Sequence, residues 1–308
     1  MDRNVVQMIL GGLVNVAIAL LVAPFFQGVL RRVTARIQSR QGPPLMQPYF
    51  DIFKLLGKED IESGEAPGMQ RFATYLLLAT VLAAACLVPL GLPAPMHGSG
   101  DVILLVYLIT FSGICTLLAG AAAGSTYSLV GTRREMMMMI ALDPIFAVTL
   151  VIGAINTGSL RLESVLNGSL YRTGGFPAAG LIMLAVMLLA FQAYVGRVPF
   201  DISEAETEIM EGPLIEYSGP KLAMFKYAQA VKLIIYAALF VALFIPWGNA
   251  LPLPIAFVIF WVKVLALVLL STFLAATHAR YRIDQALKYY ATFLAVSLGA
   301  VVLASFGH

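Results

Sequence analysis

The chain is poor in charge. Only 12% of its 308 residues are Asp, Glu, Lys or Arg, while 60% are hydrophobic; an ordinary soluble domain carries about 25% charged residues. A soluble core has no room for so much apolar surface, but lipid does. The chain is also poor in metal-binding side chains. Cys86 and Cys115 are too few for a four-cysteine iron–sulfur site and form no C-x-x-C pair. His97, His278 and His308 are scattered, and no H-E-x-x-H, Walker A or G-x-G-x-x-G run occurs. No cofactor is therefore expected in this chain, and any redox chemistry it serves rests on groups held by partners. No nucleic-acid partner is expected.

What it has is long apolar runs. A membrane-spanning helix needs roughly 20 mainly apolar residues. Eight such stretches lie near 6–29, 72–92, 101–123, 136–157, 177–196, 227–247, 254–276 and 289–306. Backbone polar groups in lipid must be satisfied within the segment, and the runs are too long for barrel strands. The expectation is an all-α, polytopic membrane protein with one membrane domain over 1–308. The first run is read as a retained span, because Pro24-Phe25-Phe26 leads into Arg31-Arg32 and not into a small-residue cleavage site.

Charge sets the expected topology. Of the 20 Lys and Arg, sixteen fall in the first, third, fifth and seventh connections or at their edges. Three (Arg3, Arg161 and Arg172) fall on the other side, and Lys263 lies inside span seven. The positive-inside rule then places the basic connections in the cytoplasm and both termini outside, in a multi-pass protein of the cell membrane. Within the first connection, Gly42-Pro43-Pro44 breaks any helix. After it, Tyr49, Ile52, Phe53 and Leu56 follow helical spacing, with Asp51, Lys54 and Lys58 on the other face. That pattern predicts an amphipathic helix along the cytoplasmic interface, either as a docking surface or as a packed loop helix.

The fifth connection is acidic where its neighbours are basic. Asp201, Glu204, Glu206, Glu208, Glu211 and Glu216 supply six of the chain's 17 carboxylates just past the end of span five. Asp201, Glu204, Glu208 and Glu211 are spaced 3, 4 and 3 apart, which on a helix is one face. Like charges there repel, and partial burial sharpens the conflict. Bound cations, basic neighbours such as Arg197, Lys221 and Lys226, or shared protons relieve it. The last is what a proton relay needs; a solvated acidic loop is the plainer alternative.

Inside the spans, Asp143 follows Met136 to Leu142 and precedes Pro144. An ionised carboxylate at depth costs at least ~2.5 kcal/mol, so such a residue is a functional candidate by default. The competing reading is a structural Asp satisfied by neighbouring helices. Lys263 either pairs with an intramembrane acid or stays neutral. Lys232, near the start of span six, is expected to snorkel to the interface. The four methionines 136–139 point around the helix and are read as packing.

Three inner segments carry a family resemblance. They run from Arg40-Gln41-Gly42-Pro43 to Lys58-Glu59-Asp60, from Gly131-Thr132-Arg133-Arg134-Glu135 to Asp143, and from Pro199-Phe200-Asp201 to Glu216-Tyr217-Ser218-Gly219. The chain resembles the subunit 1 family of respiratory complex I and its relatives in membrane-bound NiFe hydrogenases, over essentially its whole length. Pro44-Leu45 after Gly42-Pro43, Ser203 before Glu-Ala-Glu, and Glu211-Gly212-Pro213-Leu214 make it more similar to the hydrogenase branch, that of formate hydrogenlyase and energy-converting hydrogenases.

The resemblance implies a coupling subunit beneath a peripheral redox arm. Its partners would be a NiFe large subunit, an iron–sulfur small subunit, a ferredoxin-like subunit, an antiporter-like membrane subunit and the lipid bilayer. The NiFe centre and 4Fe–4S clusters would sit in those partners. It marks Asp143, Asp201, Glu204, Glu206, Glu208 and Glu216 as acids of a proton or charge path, with Glu211 specific to the hydrogenase-like pattern. Lys263 is added as an intramembrane candidate, and Arg36, Arg40, Arg133, Arg134 and Arg197 as arm-docking or counter-charge candidates.

Overall fold

The computed structural model describes residues 3–61, 66–96, 100–171, 176–248 and 251–307, without the side chains of 3–6, 206 and 207. His97, Arg172, His308 and the Glu206 side chain therefore lie outside the described part. The described residues are helical: α1 (Arg3–Ile37), α2 (Gln47–Leu56), α3 (Pro67–Leu87), α4 (Val102–Ala122), α5 (Thr126–Thr157), the one-turn α6 (Leu162–Val165), α7 (Ala178–Tyr194), the one-turn α8 (Glu206–Ile209), α9 (Gly219–Phe244), α10 (Leu253–Thr277) and α11 (Ile283–Ser305). Seven of these are long and apolar enough to cross a membrane, and α7, at 17 residues, is a shorter apolar helix in the place of the fifth expected span.

The packing fits lipid as the outer solvent. Leu13, Leu21, Ile140, Val258 and Val262 stand exposed in mid-helix. On a water-facing surface an apolar belt of that extent would be a liability. α9 is the opposite case: 83% of its most apolar stretch is buried, against 22% for α10. It is the central post, contacted by α1, α2, α3, α7 and α10.

Several helices start earlier than the apolar runs predict, α5 and α9 by the most. α5 begins at Thr126 and not near 136, so Arg133, Arg134 and Glu135 ride on a continuous helix. α9 begins at Gly219 and not near 227. Hydropathy sees where lipid ends, whereas the backbone ladder runs on until a breaker stops it. α2 forms as expected after the Gly-Pro-Pro break. Pro48 and Ile52 are buried, while Phe50, Phe53 and Leu56 stay exposed beside Lys54. It is pinned to α1 by Arg31 to Asp51 at 2.7 Å and by the Tyr49 hydroxyl, which donates to the Leu21 carbonyl.

The acidic segment departs from its predicted form. It is not one helix, so the expected single acidic face does not form. After α7 the chain turns at Gly196 and passes the cis Val198-Pro199 bond, then forms only the single turn α8 and a 3-10 turn at Gly212–Leu214. Glu211-Gly212-Pro213 wedges into a groove between α4 and α5. A Cβ on Gly131 would meet Pro213 Cδ at 2.7 Å and Gly212 Cα at 2.8 Å, so only glycine admits the turn. Tyr217 donates to the Ala119 carbonyl at 2.8 Å, and Ser218 Oγ accepts from the Ile61 amide at 3.2 Å. Gly219, at φ +56°, lets the start of α9 close on the Glu59 carbonyl.

Candidate functional site

Where α1, α4, α5, α7 and α9 meet the acidic connection, they line a partly open cavity of about 480 Å³. At about 30 Å³ per water, it has room for well over ten. Its charged lining comes from separate parts of the chain: Glu135 and Asp143 from α5, Arg197, Asp201 and Glu204 from the connection, and Lys232 from α9. Glu135 and Asp143 are eight residues apart, two helical turns on the same side of α5 and about 12 Å along its axis.

Each charged group has identifiable neighbours. The Asp143 carboxyl takes a hydrogen bond from Thr110, and at the preceding residue Tyr194 donates to the Leu142 carbonyl at 2.8 Å. The break that Pro144 makes in the α5 ladder sits in the same turn. Phe146, Tyr194 and Tyr236 pack edge-on and stacked beneath it. Tyr290 Oη is fully buried toward the same region and has no hydrogen-bond partner among the described residues.

Glu204 accepts from Gln229 Nε2 at 2.6 Å. The cavity leaves its side chain part-accessible, yet protein encloses the carboxyl. Burial, then the nearby carboxylates Glu135, Asp201 and Glu211, push it up to about 8, against an opposing pull from Lys232. Arg197 donates to Gln27 at 3.3 Å. Burial and the charge of Arg31 lower its guanidinium to about 10, with Asp201 acting the other way.

Asp201 stands between two spaces. It lines the cavity, and it also lines a surface cleft with Arg134, Glu208, Arg280 and Arg282. Arg280 holds it at 3.0 Å. Arg134 ties the same wall by donating to Glu208 at 2.6 Å and to the Ile202 carbonyl at 3.3 Å. Phe200 packs against Tyr281, whose amide donates to the Pro199 carbonyl at 3.0 Å.

The structure brings Asp143, Asp201, Glu204 and Arg197 to one cavity, and places Glu208 and Arg134 on its outer wall. Glu211 and Glu216 are part-buried in the connection outside the cavity lining. Arg36, Arg40 and Arg133 are exposed on the surface, and Lys221 pairs with Asp60 at 3.3 Å. Lys263 is separate from the acids: its Nζ donates to the Ile245 carbonyl at 2.8 Å and to the Trp247 carbonyl, binding groups just past the end of α9.

Two residues of the cavity are not site candidates from the sequence, where Glu135 stands in a family segment without a role and Lys232 is expected at the interface. Glu135 reads as the polar edge of a loop until α5 is seen to include it. Lys232 does not snorkel, because α9 begins at Gly219 and so places it half-way along the most buried helix. The signal that would have found Lys232 is its position 13 residues after the Gly219-Pro220 helix start.

These features define a class: a multi-pass helical membrane protein with a buried charged cavity, capped by a short acidic connection. The chain belongs to the NADH dehydrogenase family, whose profile matches residues 10–305. It is 33% identical over 302 residues to hydrogenase-4 component C of Escherichia coli, covering 96% of this chain and 94% of that protein. It is 31% identical over 280 residues to formate hydrogenlyase subunit 4 of the same organism, covering 88% and 91%. Among solved structures, a chain of the membrane-bound sulfane sulfur reductase, an archaeal respiratory membrane complex, superposes with a TM-score of 0.86 at 26% identity, covering 97% of this chain and 99% of that one.

Proposed function

We propose that this chain is the membrane-embedded coupling subunit of a multi-subunit energy-converting NiFe hydrogenase. It anchors a peripheral arm on its basic, cytoplasmic side and links electron transfer there to proton or sodium movement in the membrane. The relatives named for hydrogenase-4 and formate hydrogenlyase, matched nearly end to end, support the hydrogenase assignment. The NiFe large subunit, the iron–sulfur and ferredoxin-like subunits and an antiporter-like subunit are its partners in this reading. The NiFe centre and 4Fe–4S clusters belong to them.

One observation carries the coupling role: carboxylates from the acidic connection and from mid-membrane α5 open onto one polar cavity. Asp201 faces both that cavity and the outer cleft, so protons have an acid at the boundary. Glu204 is held largely protonated near neutral pH by its burial and its acidic neighbours, and Asp143 receives the charge deeper in the membrane. A charge change in the arm acts on the connection, and protons redistribute along Asp201, Glu204, Glu135 and Asp143.

The test is purification of the native complex in mild detergent with metal analysis. Nickel together with hydrogen evolution from a low-potential donor is the expected result. Iron without nickel, with quinone reduction instead, overturns it. The family's own description, NADH dehydrogenase, favours that second reading, a quinone-reducing complex. In it the cavity wall formed by Gln27 and Thr34 of α1 and by Gln38 just after it would face the quinone.

A further inference from the structure

The proton route just described uses the carboxylates and leaves Lys232 without a role. Lys232 lies half-way along α9 (Gly219–Phe244), about 20 Å from either end at 1.5 Å per residue. A lysine stem reaches neither end. Lys232 also lines a small void with Val81 and Ala84 of α3 and Ser112 of α4. The ammonium end shares the cavity with Glu135, Asp143 and Glu204, and its charge acts on all three.

The other charged and titratable groups around it are accounted for. Asp201 is held by Arg280, and the charge of Arg197 acts on Asp201. Tyr194 faces the cavity from α7 and Tyr236 from α9, and both phenols are neutral at physiological pH. Cys115 of α4 is fully buried and near the ammonium. The carboxyls whose charge acts on Lys232 are Glu135, Asp143 and Glu204.

An enclosed ammonium without a counter-ion is costly, and so are two or three adjacent carboxylates ionised together. The arrangement of least cost has the lysine charged and one of the three carboxyls ionised. We infer that Lys232 is the charge-balancing residue of this cavity: it keeps one of Glu135, Asp143 and Glu204 ionised, and so provides the empty acceptor into which a proton moves. The step conserves charge. An O–H bond breaks at a protonated carboxyl and forms at the ionised one. The first becomes the carboxylate, and Lys232 stays an ammonium throughout. This inference rests on the coupling role proposed above.

The test uses the purified native complex. The protonated-carboxyl band is titrated by infrared spectroscopy in wild type, K232Q and K232R, with E204Q to assign the Glu204 component. Removing the cation is expected to raise the Glu204 midpoint by about one pH unit or more. K232R returns it to the wild-type value. In proteoliposomes K232Q is expected to lose ion translocation while uncoupled electron transfer persists, and K232R to regain translocation. An unchanged midpoint and unchanged translocation in K232Q overturn the inference.

If K232Q fails to accumulate, the double variants K232Q/E135Q, K232Q/D143N and K232Q/E204Q decide. Loss of one charge of each sign restores accumulation in the variant that removes the ionised carboxyl, and three double variants no better than K232Q overturn the inference. A wild-type complex that translocates no ion defeats the coupling reading, yet the infrared titration still decides what Lys232 does.

Discussion

Glu204 is the residue whose chemistry is most exposed to measurement. Its carboxyl sits at about 8 when folded, against an ordinary value of 4.5. Between those values the folded protein holds a proton that the unfolded chain has released. Its contribution to stability is therefore full below about 4.5 and is lost as the pH rises through about 8. The thermal midpoint of the complex should fall across that window, and E204Q should flatten the fall. Asp143→Asn is expected to leave assembly intact and abolish ion translocation in proteoliposomes; full coupling in that variant would remove Asp143 from the path. Asp143 was legible in the sequence because a carboxylate beside Pro144 stands out in an apolar run. Lys232 was not, because its depth depends on where α9 begins, and Gly219 starts the helix outside the apolar window.

Elements carry a different lesson. The eight apolar segments and the amphipathic α2 follow from periodicity, and the structure has them. The acidic connection does not follow, since spacing of 3, 4 and 3 means one face only if the chain is helical throughout. Gly212 at φ +53° and Pro213 interrupt it, and the turn is held by packing into a groove that spacing cannot show. G131A tests that packing. The added methyl meets Pro213 and Gly212 backbone inside van der Waals contact, an overpacking expected to cost about 1–3 kcal/mol. The midpoint of detergent-solubilised complex should drop accordingly. Tyr217→Phe removes one of the two donors to the Ala119 carbonyl and leaves it the Ala123 amide, with an expected loss of about 0.5–1.5 kcal/mol in the same assay.

Across the whole molecule, the skew of sixteen basic residues against three predicts sidedness. Single cysteines at Met46 and at Met96, in a variant lacking Cys86 and Cys115, should label from opposite sides of sealed vesicles, Met46 from the cytoplasmic side. Labelling at Met46 from the outer side would reverse the proposed docking of the peripheral arm, and labelling of both from one side would deny that α3 crosses the membrane.

The central place of α9 has a consequence for how the protein is made. Synthesis runs from the N-terminus, so α1, α2, α3 and α7 all emerge before the helix they pack around. Until residue 244 has left the ribosome, the wall of Glu135 and Asp143 faces a gap where the post will stand. Lys232 then arrives on the one helix that fills it, carrying the opposite charge to a site already lined with acids. α10 and α11 follow and complete the packing, α10 against α1 and α9 and α11 against α5 and α7.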